Sequence, residues 1–124
     1  GNVGIGTTSP SSKLEVNGTV KDSKGDLRQI PQNYQSSNYT LVASDAGKHI
    51  LADGNITWTD NTFAAGDAVT ILNATGGDIT ITKGNTMFFS GDGSNANRTL
   101  STKGMATILW TSATAAYISG AGLS

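Results

Sequence analysis

Apolar residues placed two apart, and broken at short intervals by Gly, Asn, Asp and Ser, set the strongest constraint on this chain. In YTLVAS (39–44), Tyr39, Leu41 and Ala43 share one face; in DAVTILN (67–73), Val69 and Ile71 alternate with Thr70 and Leu72. GGDITITKGN (76–85) repeats the pattern, with Ile79 and Ile81 inward and Thr80 and Thr82 outward. A period of two sends successive side chains to opposite faces, so each segment predicts a half-buried strand. HILADGNITWT (49–59) reads as strand, turn, strand, and Asp53-Gly54 predicts a type I′ hairpin, whose central residues both need positive φ. TMFFSGDGSN (86–95) reads as a short strand entering a Gly-rich loop, and ATILWTS (106–112) and AAYISGAG (115–122) as two closing apolar strands. The one helix-like stretch, 44–48, is too short to shape the fold. Short strands about 8–12 residues apart, with a turn in every gap, predict an all-β fold. The expected form is an antiparallel, jelly-roll-like β-sandwich over residues 34–124.

The first twenty residues, GNVGIGTTSPSSKLEVNGTV, alternate in the same way but carry little apolar surface. Val3, Ile5, Leu14, Val16 and Val20 cannot make a core alone, so residues 1–21 are expected to form a thin β module that packs against something else. Starting at Gly1 without methionine, the chain is expected to be a fragment of something longer. Residues 22–33, DSKGDLRQIPQN, hold much of the charge and a proline, and read as a connector. At 124 residues the chain has room for one modest core. Charged residues are 14% and the net charge is −1, so polarity comes from hydroxyls and amides and no basic stripe is present to neutralise phosphates. Nucleic acid is therefore not an expected partner. No apolar run approaches the ~20 residues of a membrane-spanning helix. The absence of cysteine excludes a disulfide framework and a thiolate metal site.

Candidates for chemistry are few. His49 is the sole histidine, at a strand start near Asp45 and Lys48, and no GxSxG nucleophile motif accompanies it. It reads as a structural residue. The aspartates Asp45, Asp53, Asp60, Asp67, Asp78 and Asp92 mostly sit beside Gly in turns, where their side chains commonly bond the local backbone. No catalytic residue, cofactor or metal is assigned. The loop SGDGSNANRT (90–99) gathers Asp92, Ser94, Asn95, Asn97 and Arg98. It lacks the downstream glutamate of a calcium loop, and Arg98 would repel a cation. The same hydroxyls, amides and guanidinium suit sugar hydroxyls, and exposed loops are where binding usually sits. Trp110 and Tyr117 lie in apolar strands and are expected in the core. Trp58, between Thr57 and Thr59 and followed by Asp60 and Asn61, is either a core residue or a stacking platform for a sugar ring.

GNVGIGTTSPSSKLEVNGTV resembles the GxVGIGTTxPxxKLxVxG repeat of bacteriophage tail fibres and related phage-like fibres. YTLVASDAGKHI, FAAGDAVTILNATGGDITITKGN and NRTLSTKGMATILWTSATAAYISGAGLS resemble a C-terminal domain at the distal end of such fibres. The resemblance implies a parallel homotrimer, in which an intertwined β shaft leads into a receptor-binding tip on the virion, outside the cell. It implies a noncatalytic function: adsorption to a bacterial surface glycan such as lipopolysaccharide or capsule, without membrane insertion. Recognition is then expected at Trp58, Asp60 and Asn61 and at Asp92, Ser94, Asn95, Asn97 and Arg98. The alternatives are a structural trimerisation knob, or a polysaccharide-degrading tailspike fragment, which would need a long β-helix and a carboxylate cluster.

Overall fold

The structure, a computed structural model, describes residues 1–124. The chain divides into two compact units, Gly1–Ile30 and Pro31–Ser124.

In the first unit, β1 (Val3–Ile5) and β2 (Leu14–Val16) pair in parallel, setting Val3 beside Leu14 and Ile5 beside Val16. The Ser11 N–H and hydroxyl donate to the Glu15 carboxylate at 2.6 and 2.9 Å. These bonds, the backbone one foremost, hold the Glu15 carboxyl below its ordinary value. A small antiparallel pair, β3 (Lys21–Asp22) and β4 (Gly25–Asp26), follows. Nothing in residues 1–30 is buried, and Val3, Ile5, Leu14, Val20, Leu27 and Ile30 are all exposed.

The second unit holds the whole apolar core. Its first six strands form three stacked rungs, each a strand, a short turn and a second strand. The rungs are β5 (Gln32–Gln35) with β6 (Tyr39–Thr40), β7 (His49–Ala52) with β8 (Ile56–Thr57), and β9 (Ala68–Asn73) with β10 (Ile79–Thr82). β5, β7 and β9 pair in parallel, and so do β6, β8 and β10. Inward positions stack from rung to rung: Ile50 lies against Ile71, and Tyr39, Ile56 and Ile81 align. The turns stack as well. The Asn55 N–H donates to Asn38 Oδ1 and the Thr80 N–H to Asn55 Oδ1, both at 2.9 Å. This asparagine ladder satisfies backbone donors that no strand reaches.

The third rung is covered by β12 (Arg98–Trp110), a bent strand that pairs antiparallel with β10 through its first residues and with β9 through its last. The bend is a bulge between Leu100 and Met105, where Lys103 takes φ of 60°. The bulge seats on the corner of the third rung, with the Lys103 ammonium donating to the Ala74 carbonyl at 2.9 Å and the Thr102 hydroxyl to that of Thr75. β13 (Ala115–Leu123) runs antiparallel to β12 along its length, and β11 (Thr86–Phe89) lies parallel beside β13. The result is one nine-stranded, nearly closed sheet around Trp58, Trp110, Ile50, Ile71, Ile81 and Ile108. β5 and β6 end the strand order.

The all-β expectation holds, but several local expectations change. Within the nine-stranded sheet, strands pair antiparallel only where β12 is a partner; the rungs and β11·β13 are parallel. Asp53-Gly54 makes no hairpin, because β7 and β8 each pair with other rungs, and Gly54 does not have positive φ. Glycine is needed there for a different reason: a Cβ would lie 2.5 Å from the Asn38 nitrogen of the turn stacked on it. The strand expected over 39–44 stops at Thr40, giving way to a 3₁₀ turn at Ala43–Asp45. Asp45 is buried there, accepting from the Tyr39 hydroxyl at 2.7 Å, from the Val42 N–H at 2.9 Å and from the Asn33 amide at 2.9 Å.

Candidate functional site

Trp58 leaves the candidate set. It is fully buried, meets Trp110 edge-to-face at a centroid distance of 5.4 Å, and donates Nε1–H to the Met87 sulfur at 3.5 Å. Phe63 stacks on the other tryptophan at 4.0 Å. A ring enclosed in this way cannot offer a face to a sugar. The Thr57-Trp58-Thr59 alternation means an inward tryptophan between outward threonines.

Most of the remaining candidates converge on one segment, residues 83–89, which runs into and along β11. Its alternate N–H groups point to one side, where no strand pairs with them. The Lys83 N–H donates to Asn97 Oδ1 at 3.1 Å, that of Asn85 to Asp60 Oδ1 at 2.8 Å, and that of Met87 to Asn95 Oδ1 at 2.9 Å. The Phe89 N–H continues the row to the Ser94 carbonyl at 2.9 Å. Asp60, Asn95 and Asn97 thus stand in for a missing strand, the kind of edge that would otherwise present unpaired donors. Their side-chain oxygens have structural partners. Asn61 is exposed, in the left-handed region at φ 64°, and its N–H donates to the Ala113 carbonyl at 2.8 Å.

What the loop 90–97 leaves for a ligand is a short exposed chain of polar groups. The Ser94 N–H and hydroxyl both donate to Asp92 Oδ1 at 2.7 Å, and Arg98 Nη2 donates to the Ser94 hydroxyl oxygen at 3.0 Å. Arg98 also lies over the Phe89 ring, 4.8 Å from its centroid. The two bonds from Ser94, the side-chain one foremost, lower the Asp92 carboxyl from its ordinary value, and the Arg98 charge adds to this. Asp92, Ser94 and Arg98 are therefore held in one arrangement before any ligand arrives. No three of the chain's His, Asp and Glu side chains gather as metal ligands would.

Sequence reasoning missed the exposed aromatics. Tyr117, expected in the core, is 47% exposed and rests against Phe88 at 5.3 Å. Ile118, the next residue along its strand, is the inward one. Tyr34, in the stretch read as the start of the domain, is also exposed, with its hydroxyl donating to Asp53 Oδ2 at 2.5 Å. The signal was available for Tyr117: Ala116 and Ile118 set one parity on its strand, and Tyr117 has the other. No protein-family model matches this sequence, and no curated protein sequence matches it.

Proposed function

We infer that this chain is the distal part of a phage-type tail fibre, which adsorbs to a bacterial surface glycan without catalysis. The observation that carries the receptor reading is the prearranged Asp92–Ser94–Arg98 chain on an exposed loop of a tightly packed core. Carboxylate, hydroxyl and guanidinium offer both acceptors and donors, which a sugar's adjacent hydroxyls require. Residues 1–30 support an assembly role, because an apolar β pair with nothing buried gains most by packing on copies of itself. Three chains in parallel would cover Val3, Ile5 and Leu14 and would multiply weak sugar contacts. In this reading the bent sheet of the second unit is the sandwich-like tip, and the protein acts on the virion, outside the cell.

Adsorption is the test. Purified chain should coat susceptible bacteria and block phage attachment, and the double substitution Asp92→Ala, Arg98→Ala should weaken both while leaving the fold intact. Equal blocking by the double variant would remove this loop as the site. Failure of the unaltered chain to bind any cell, together with loss of trimers on deleting residues 31–124, would favour the trimerisation knob.

A further inference from the structure

We propose that the outer face of the strands β5, β7, β9, β12 and β13 is a docking track for an extended, uncharged polysaccharide. The proposal rests on the receptor-binding reading above and names a second surface and a ligand class for it. Strand register places outward side chains in straight rows across this face. The central row is Gln32, His49, Thr70, Thr107 and Ser119, each directly opposite the next. Four inter-strand spacings make it roughly 19 Å long. Its groups are already ordered: Thr70 and Thr107 hydroxyls lie 2.9 Å apart, and His49 Nε2 lies 3.1 Å from Gln32 Oε1.

Apolar rows flank it on both sides. One is Tyr34, Leu51, Leu72, Met105 and Ala121, with Tyr34 53% and Met105 54% exposed. The other runs from Ala68 through Leu109 to Tyr117 and Phe88. The hydrogen bond to Asp53 pins the Tyr34 hydroxyl while leaving its ring open. A polar track with apolar banks and aromatic rings at its two ends matches a sugar chain, whose hydroxyls lie at ring edges and whose C–H groups form apolar faces. The three rows contain no Asp, Glu, Lys or Arg, and a charged polymer would find at most one ionic partner in them, His49.

A second copy of the chain fits less well. Protein interfaces concentrate apolar groups at the centre and polar groups at the rim, and here the order is reversed. The track adjoins the loop of Asp92 and Arg98 at Phe88, which Asn95 bridges, but Arg98 lies over Phe89, whose strand parity is opposite to that of Phe88.

The experiment compares the full chain with Tyr34→Ala and Thr107→Lys, both exposed positions on different strands, after circular dichroism confirms the fold. Binding is measured by calorimetry against dextran, mannan, an uncharged O-antigen polysaccharide and an acidic capsular polysaccharide. The expected result is binding to at least one uncharged polymer, weakened about tenfold or more by either substitution, the scale of one lost aromatic or hydrogen-bonded contact. Unchanged affinity in both variants, with loss in Arg98→Ala, would overturn the track while leaving the receptor reading standing. Binding to the acidic polymer alone would overturn the uncharged class. A change in oligomeric mass in Thr107→Lys would assign the face to copies of the chain and overturn the proposal. No binding of any polysaccharide or cell by the unaltered chain would remove both readings.

Discussion

Trp58 shows how one side chain changes its meaning between sequence and structure. Its ring fills the centre of the core beside Trp110, and Gly84 lies so close that a Cβ there would sit 2.7 Å from the ring. Trp58→Ala should cost about 3–5 kcal/mol, read as a shifted urea midpoint, because the cavity cannot collapse against the stacked rungs. A cost near zero would mean that the ring is not packed as described. Tyr39 makes a second residue-scale prediction. Burial first, and then its bond to Asp45, raise its phenol above the ordinary value. The folded state therefore keeps the proton when the unfolded chain would release it. This contribution is complete below the unfolded tyrosine value of about 10 and is lost as pH rises beyond it. Urea unfolding at about pH 9 and about pH 11 should show a decline in the unaltered chain that is shallower in Tyr39→Phe; equal declines would contradict it. None of this could be read from Trp58 or Tyr39 in isolation, since a period of two gives two faces without saying which is covered.

At the scale of strands, the sequence marks the elements well and their partners poorly. Val69 and Ile71, Ile79 and Ile81, and Ile108 and Trp110 all point inward as their alternation indicates. Pairing is different, because parallel stacking is written in the distance between rungs. Gln32 opposes His49 and Tyr39 opposes Ile56, both 17 residues apart, but the next rung is separated by longer and unequal stretches. Without a fixed repeat, local turn chemistry is the only guide, and Asp53-Gly54 then points to a hairpin that does not form. The structural bonds of Asp60, Asn95 and Asn97 are hidden from the sequence for the same reason: they serve an edge that only the folded chain creates. Substituting each by Ala should raise amide exchange at Asn85, Met87 and Lys83 respectively, by about fivefold, as expected for a lost hydrogen bond of about 1 kcal/mol. Unaltered exchange at the named amides would show that these side chains do not hold the edge. Asp92 and Ser94 remain exposed on their loop, and with half-buried Arg98 at the start of β12 they keep the chemistry that their residue types suggest.

For the whole molecule, the two units differ in what they need. Every core residue belongs to Pro31–Ser124, so this segment expressed alone should unfold cooperatively with a midpoint close to that of the full chain. A disordered product would mean that residues 1–30 supply stability that their exposure conceals. The stack itself has one finished end and one open end. β12, itself backed by β13, covers the third rung, while β5 and β6, four and two residues long, end the strand order. Native-state exchange should therefore be fastest in residues 32–40 among the strands of this unit, and uniform protection would contradict that gradient. This asymmetry has a consequence for biosynthesis. The rungs leave the ribosome in order from the open end, yet the first pairs only with the second, and the third depends on strands that emerge later still. Productive folding waits for those residues, and until then a translating chain exposes its alternating apolar segments to its neighbours.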